Sequence, residues 1–226
     1  DWADAAGWDH TPPAPELPTL DPSRRAPGSD AVRFRRRERI LSQADWSALK
    51  QRAGEQQLTP SGLLLAAYAE VIGRWCDQPS FTVDITLLNR LPLHPQIDRV
   101  FGDFTTINLL AVDQKPESRF ADRARAIQAR LWQDMDHRGY SGIEVLRELA
   151  RRRGANAALA PIVFTSALGM TLARPAAERA IPEGEIIHGL SQTPQVWIDC
   201  QVMERGGTLA LIWDAREGVF PRGLVD

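Results

Sequence analysis

Hydrophobic and polar positions alternate along VRFRRRERI (32–40) with the period of a β-strand, and the charged residues on it mark a sheet edge. Ser42 then supplies a cap for a helix over about 43–54. Thr59-Pro60 is a second helix start, a threonine cap with proline in the first turn. The helix that follows, SGLLLAAYAEVIGRW, is apolar on nearly every side and is expected to lie centrally. SFTVDITLL (80–88) and TTINLLAVD (105–113) read as strands, the latter covered on both faces, with a long NRLPLHPQIDRVFGDF loop between them. The period of 3.6 returns over 117–138, where Phe120, Ala124, Ile127, Leu131 and Met135 form one stripe, and over 142–153. PIVFTSALG (161–169) is a compact strand. The last pair, a strand rising from SQTPQ and TLALIWDAR (208–216), closes as a hairpin at Gly206-Gly207. Helix-connected strands ending in a hairpin predict an α/β fold with a mixed sheet of about five or six strands packed with helices.

The segment SQTPQVWIDCQ (191–201) stands out within this pattern. Val196, Ile198, Cys200 and Val202 form a core face, while Gln195, Trp197, Asp199 and Gln201 form an opposite face poor in the lysine, glutamate and threonine of a solvated strand. The pattern alone leaves open whether that second face meets solvent or a reaction, and by itself Asp199 reads as a surface carboxylate.

Composition narrows the function. The hydrophobic fraction of 43% and charged fraction of 25% are those of an ordinary globular chain, and a net charge of −2 gives no electrostatic case for nucleic acid or an anionic membrane. Lys50 and Lys115 are the only lysines, so positive charge is almost all arginine. Arg35–Arg37 is expected to be a solvated cluster. Cys76 and Cys200 lack metal spacing and read as two reduced thiols of a cytoplasmic protein. No apolar stretch approaches the ~20 residues of a membrane span, and no signal peptide is evident. Residues 1–31, rich in proline, read as a linker, and the abrupt ends suggest a piece of something longer. GxGxxG, Walker A, HExxH, CxxC and GxSxG are all absent, and His10, His94, His137 and His188 are scattered, so nothing in the spacing calls for a metal. What remains are short polar stretches at strand positions: GDFTT (102–106), FTS (164–166), SQTPQ and Asp199.

Taken in order, PPAPELP (12–18), LTPSGLLLAAYAEVIGRW (58–75), GDFTTINLL (102–110), PIVFTSAL (161–168), SQTPQVWID (191–199) and WDAREGVFP (213–221) resemble the motifs of heterocyclisation domains of nonribosomal peptide synthetases. These domains are relatives of condensation domains. Thr11 departs from the family, which usually has leucine there. The resemblance covers the C-terminal lobe of the chloramphenicol-acetyltransferase-like fold, over 32–226. It implies a latch at about 167–190 that crosses to an N-terminal lobe absent from this chain, and therefore an inactive isolated lobe.

The resemblance implies the following chemistry. An acyl or peptidyl thioester on an upstream carrier protein is condensed with cysteine, serine or threonine on a downstream one, and the new amide is cyclodehydrated to a thiazoline or oxazoline. Both substrates ride on the phosphopantetheine of carrier proteins and no cofactor binds directly. An adenylation domain of the same synthetase is a further partner. Thr165 and Asp199 carry over as the catalytic pair of cyclodehydration, with Asp199 raised in pKa inside a tunnel so that it shuttles a proton. Gln192, Thr193, Gln195, Trp197 and Ser166 are expected around the substrate or its pantetheine arm. Arg90 is expected to be structural, paired with an aspartate of the other lobe, and Asp103 to brace its loop. A condensation-only domain of the same fold and a non-catalytic carrier-docking module are the alternatives.

Overall fold

The computed structural model describes residues 32–76, 78, 80–113, 118–154, 159–169, 189, 193 and 195–226. The expected linker (1–31), Gln192 and all of the expected latch except 167–169 and 189 lie outside the described residues. Six strands form one mixed sheet: β1 (Phe34–Leu41), β2 (Ser80–Leu88), β3 (Thr105–Asp113), β4 (Ile162–Ser166), β5 (Ile198–Arg205) and β6 (Thr208–Arg216), in the order β1-β6-β5-β4-β2-β3. The β4 strand runs parallel to both its neighbours, and the other pairs are antiparallel. The β5–β6 hairpin turns on Gly206 and Gly207, whose φ values of 54° and 82° are the two positive angles a tight hairpin turn requires.

Four helices complete the lobe: α1 (Gln43–Glu55), α2 (Pro60–Trp75), α3 (Phe120–Asp136) and α4 (Gly142–Arg153). The caps read from the sequence are in place. Ser42 Oγ accepts from the Asp45 N–H, and Thr59 Oγ1 accepts from the Gly62 N–H at 3.0 Å. A third, at Ser141, forms a reciprocal capping box with Glu144. Helix α2 buries Leu64, Leu65, Tyr68, Ala69 and Ile72, and leaves Ala67 and Arg74 exposed, so it is central but not enclosed all round. On the α3 stripe Ala124 and Ile127 are buried, while Phe120, in the first turn, stays exposed.

The main core lies on one face of the sheet. Phe81 and Val83 (β2), Leu110 and Val112 (β3), Ile162 and Phe164 (β4), Ile198, Cys200 and Val202 (β5) and Leu209 (β6) meet helices α1 to α3 there. Trp46 of α1 is fully buried in this layer, and its indole N–H is satisfied by Glu204 at 2.9 Å. On the opposite face α4 packs Val145 and Leu149 against Leu109. Strand β3 is therefore an edge in the hydrogen-bonding sense yet covered on both faces, as its apolar pattern predicts.

The predicted solvated cluster Arg35–Arg37 needs one correction. Arg36 points along the sheet face and makes a bidentate pair with Asp214 at 2.8 and 2.6 Å. It was legible only as one of three arginines because the strand beside it, β6, lies 178 residues away in sequence.

A candidate active site on the polar face of the sheet

Strand register assembles the site. Thr86 of β2 pairs with Thr165 of β4, Thr165 with Gln201 of β5, Asp199 of β5 with Asp214 of β6, and Asp214 with Arg36 of β1. Side chains at paired positions share a face. The face opposite the main core therefore carries a transverse ribbon of polar groups across five strands. Arg36 donates twice to Asp214. Gln201 Nε2 donates to Asp214 Oδ2 at 3.2 Å and to Asp199 Oδ2 at 2.8 Å. Thr165 Oγ1 lies 3.2 Å from Asp199 Oδ1 and 3.0 Å from Thr86 Oγ1.

A hydroxyl has one hydrogen, so Thr165 donates to one of these two neighbours at a time. When Asp199 is ionised, Thr165 donates to the carboxylate and accepts from Thr86. When Asp199 holds a proton, the carboxyl donates to Thr165, and Thr165 turns its hydrogen to Thr86. Thr165 and Asp199 together thus form a unit that accepts and returns a proton without losing a hydrogen bond. The other carboxylate oxygen is fixed by Gln201, which sets the direction of the whole group.

The electrostatics of the face are lopsided. Asp84, Asp199 and Asp214 are 6%, 7% and 0% exposed, and Arg36 is a cation bonded into the ribbon. The hydrogen bond and charge of Asp214 raise the pKa of Arg36, keeping it firmly charged. Burial, and then the charge of Asp199, push the Asp84 carboxyl up to about 8. Cys200 is pushed up to about 12, and Tyr68 is also raised, both chiefly by burial with the negative charge of Asp199 adding to it. Neither is a thiolate or phenolate near neutrality.

The remaining predicted residues fall elsewhere. Thr193 and Gln195 are exposed at the turn that leads into β5, where the Val196 N–H bonds the Thr193 carbonyl. The alternation expected through 195–201 holds from Ile198 onward and fails at Trp197. The N–H groups of Trp197 and Ile198 both converge on the Pro161 carbonyl, at 2.8 and 3.2 Å, an arrangement of the β-bulge type. It turns the Trp197 ring to the apolar side, edge-on to Phe220 at 6.5 Å between centroids. Trp197 therefore does not flank Asp199 as the alternation implied. Ser166 also faces the helices, with its hydroxyl 2.8 Å from that of Ser61 on α2. Arg90 stacks over Phe104 at 3.8 Å and donates to the carbonyls of Ile97 and Val100, bracing the 89–104 loop from within. Asp103 Oδ1 accepts the Thr105 N–H at 2.8 Å, the brace expected of it.

Three contributors escaped the sequence reading: Asp84, Thr86 and Arg36. For Asp84 a signal existed, an acidic residue midway along an otherwise apolar or hydroxylic strand. Among the described residues no three His, Cys, Asp or Glu side chains gather as metal ligands would, and no helix is long and apolar enough to cross a membrane.

Comparison with known proteins points one way. Residues 6–220 match the condensation-domain family. The chain is 46% identical to pyochelin synthetase PchF of Pseudomonas aeruginosa over 219 residues, 95% of this chain and 12% of that protein. It is 40% identical to phenyloxazoline synthase MbtB of Mycobacterium tuberculosis over 227 residues, 99% of this chain and 16% of that protein. Among solved structures it resembles the cyclization-docking bidomain of the nonribosomal peptide synthetase EpoB from Sorangium cellulosum. The TM-score is 0.79 at 40% identity, covering 100% of this chain and 46% of that one. The chain thus spans under a fifth of the length of these curated relatives, and the fold is that of the chloramphenicol-acetyltransferase-like condensation domains.

Proposed function

The chain belongs to the condensation-domain family, and from that premise we propose that it is the C-terminal half of a heterocyclisation domain. Such a domain joins an acyl or peptidyl thioester to a cysteine, serine or threonine thioester, both held on the phosphopantetheine of carrier proteins, and cyclodehydrates the amide to a thiazoline or oxazoline. Membership of a nonribosomal peptide synthetase with carrier and adenylation partners follows from that reading. The observation that carries it is the 3.2 Å contact of Thr165 with a buried Asp199, held by Gln201 on the polar face. A docking module has no use for an oriented, proton-accepting carboxylate, and amide formation alone has no leaving hydroxide to protonate. The names of two relatives, one a phenyloxazoline synthase and the other a cyclization bidomain, support the same reading.

The geometry suits the chemistry. Asp199, as carboxylate, takes the proton from the side-chain thiol or hydroxyl as that group adds to the amide carbon. A C–S or C–O bond forms and the carbonyl π pair moves to oxygen. Asp199, now protonated and bonded to Thr165, returns that proton to the anionic oxygen to give a hydroxyl. Asp199 then takes the N–H proton as the nitrogen lone pair forms the C=N bond and passes it to the departing hydroxyl, so that the C–O bond breaks and water leaves. Fixing the carboxylate by Gln201 and Thr165 removes its orientational freedom before the reaction.

The test is the complete synthetase module, with products read by mass. Asp199→Asn and Thr165→Ala are expected to let the linear amide accumulate while ring formation falls about 100-fold or more for Asp199→Asn, the span of a lost general base. Unimpaired ring formation in both variants refutes the assignment.

A further inference from the structure

Asp84 lies on the same sheet face as Thr86, Thr165 and Asp199. It pairs with Val163, which pairs in turn with Asp199, so the two carboxylates stand two strands apart across one valine, roughly 10 Å between backbones at the usual strand spacing. It is nine-tenths buried, its Oδ1 has no hydrogen-bond partner, and among the described residues no arginine or lysine pairs with it. A buried, unmet polar oxygen costs about 1–3 kcal/mol, so its retention calls for a reason, and a catalytic role is one.

We propose that Asp84 is held as a neutral carboxylic acid and donates its hydrogen to the carbonyl oxygen of the new amide, the oxygen that becomes anionic as the ring closes. The proposal rests on the heterocyclisation reading above and extends it, since during addition Asp199 is occupied as the base and that oxygen still needs a donor.

Charge balance dictates the neutral form. Along the ribbon Arg36 already serves Asp214, and Asp199 lies nearby with its own negative charge. Behind the sheet Tyr68 on α2 and Cys200 on β5 are both held protonated and bring no positive charge. On β3 the face beside Asp84 is Leu109, and α4 meets it with Val145 and Leu149. A third ionised carboxylate there has nothing to balance it, and it titrates only at about 8. Neutral, it presents one O–H, the donor an oxyanion needs in a low-dielectric wall. It acts as a fixed donor, not a shuttle, because Oδ1 has no hydrogen-bonded neighbour to refill it. During addition the carbonyl π pair moves to oxygen, the Asp84 O–H bond stays intact, and the hydrogen bond shortens. The protons that leave as part of water travel by Asp199.

The sign of the pH dependence follows. The active form is protonated, so ring formation falls as pH rises through about 8. In the complete module the ring-forming rate at about pH 9 is expected to be about a tenth of that at about pH 7, the change in the neutral fraction of a group titrating midway. Asp84→Asn keeps a donor of the same shape that cannot ionise, and its ratio is expected near one. Asp84→Ala is expected to lower ring formation about 100-fold, the cost of one oxyanion donor, with amide still accumulating. Difference infrared spectroscopy of the parent against Asp84→Asn reads the group without turnover: a protonated-carboxyl band at neutral pH is expected, converting to carboxylate as pH rises through about 8. A carboxylate band at neutral pH overturns the proposal. So does ring formation whose alkaline fall persists in Asp84→Asn, and this outcome leaves the heterocyclisation reading standing. Amide without ring from the parent at every pH overturns that reading and, with it, the donor role.

Discussion

Three buried carboxylates, Asp84, Asp199 and Asp214, share the polar face with Arg36, and the contacts of each differ. Asp214, fully buried, takes the charge-assisted fork of Arg36. Asp199 accepts from Gln201 and from Thr165, both neutral side chains. Asp84 has neither. The Arg36–Asp214 pair is then a foundation for the site: it fixes one oxygen set so that Gln201 can bridge from Asp214 to Asp199. Removing one partner of a buried pair costs about 3–5 kcal/mol, and because the Arg36 side chain is 25% exposed we expect Arg36→Ala to cost about 2–3 kcal/mol. Urea unfolding measures it. Arg36→Ala combined with Asp214→Asn is expected to cost about 1–2 kcal/mol less than the sum of the single changes, because the charge that Arg36→Ala strands is gone. Simple additivity of the two rules out the pairing as the source of the cost.

At the scale of elements, α4 comes close to the backbone of β3. A Cβ on Gly142 would meet the Ile107 carbonyl oxygen at 2.9 Å and its carbon at 3.1 Å, both backbone atoms that cannot swing aside. Alanine is the better helix former, yet Gly142→Ala is expected to destabilise by about 1–2 kcal/mol through displacement of the helix. A lower urea midpoint with unchanged slope is the expected signature, and an equal or higher midpoint refutes it. The same scale shows what the sequence could and could not disclose. Helix starts at Ser42 and Thr59 and the Gly206-Gly207 turn are local chemistry, so they were legible to within a residue or two. Asp199 and Thr165 were singled out through motif resemblance, and the fold puts their side chains in contact. Trp197 was misplaced because a bulge against Pro161 resets the alternation by one residue, and only the neighbouring strand imposes that. In FTS, strand alternation sends Thr165 to one face and Ser166 to the other, where its hydroxyl meets Ser61. Arg36 and Asp84 were hidden because their meaning depends on which strands lie beside them.

At the scale of the molecule, the ribbon is one wall. It reaches from β1 to β2 across the sheet, and Thr165 is only partly buried within it. Cyclodehydration expels water, and the oxygens it protonates must be shielded from the solvent that would otherwise compete for the same donors. Among the described residues the ribbon supplies one wall, and a wall orients groups without by itself shielding a bound substrate from water. This chain covers 46% of the EpoB bidomain it resembles, and on the heterocyclisation reading we propose that a second lobe supplies the facing wall. The expectation is therefore sharp. Given carrier-bound acyl and cysteinyl, seryl or threonyl thioesters, the 226-residue chain alone forms neither amide nor ring, while the complete module forms both. Mass spectrometry of the carrier-bound products decides it. If the lone chain closes rings at a rate near that of the module, one wall suffices, and the catalytic weight placed here on enclosure has to move to the ribbon itself.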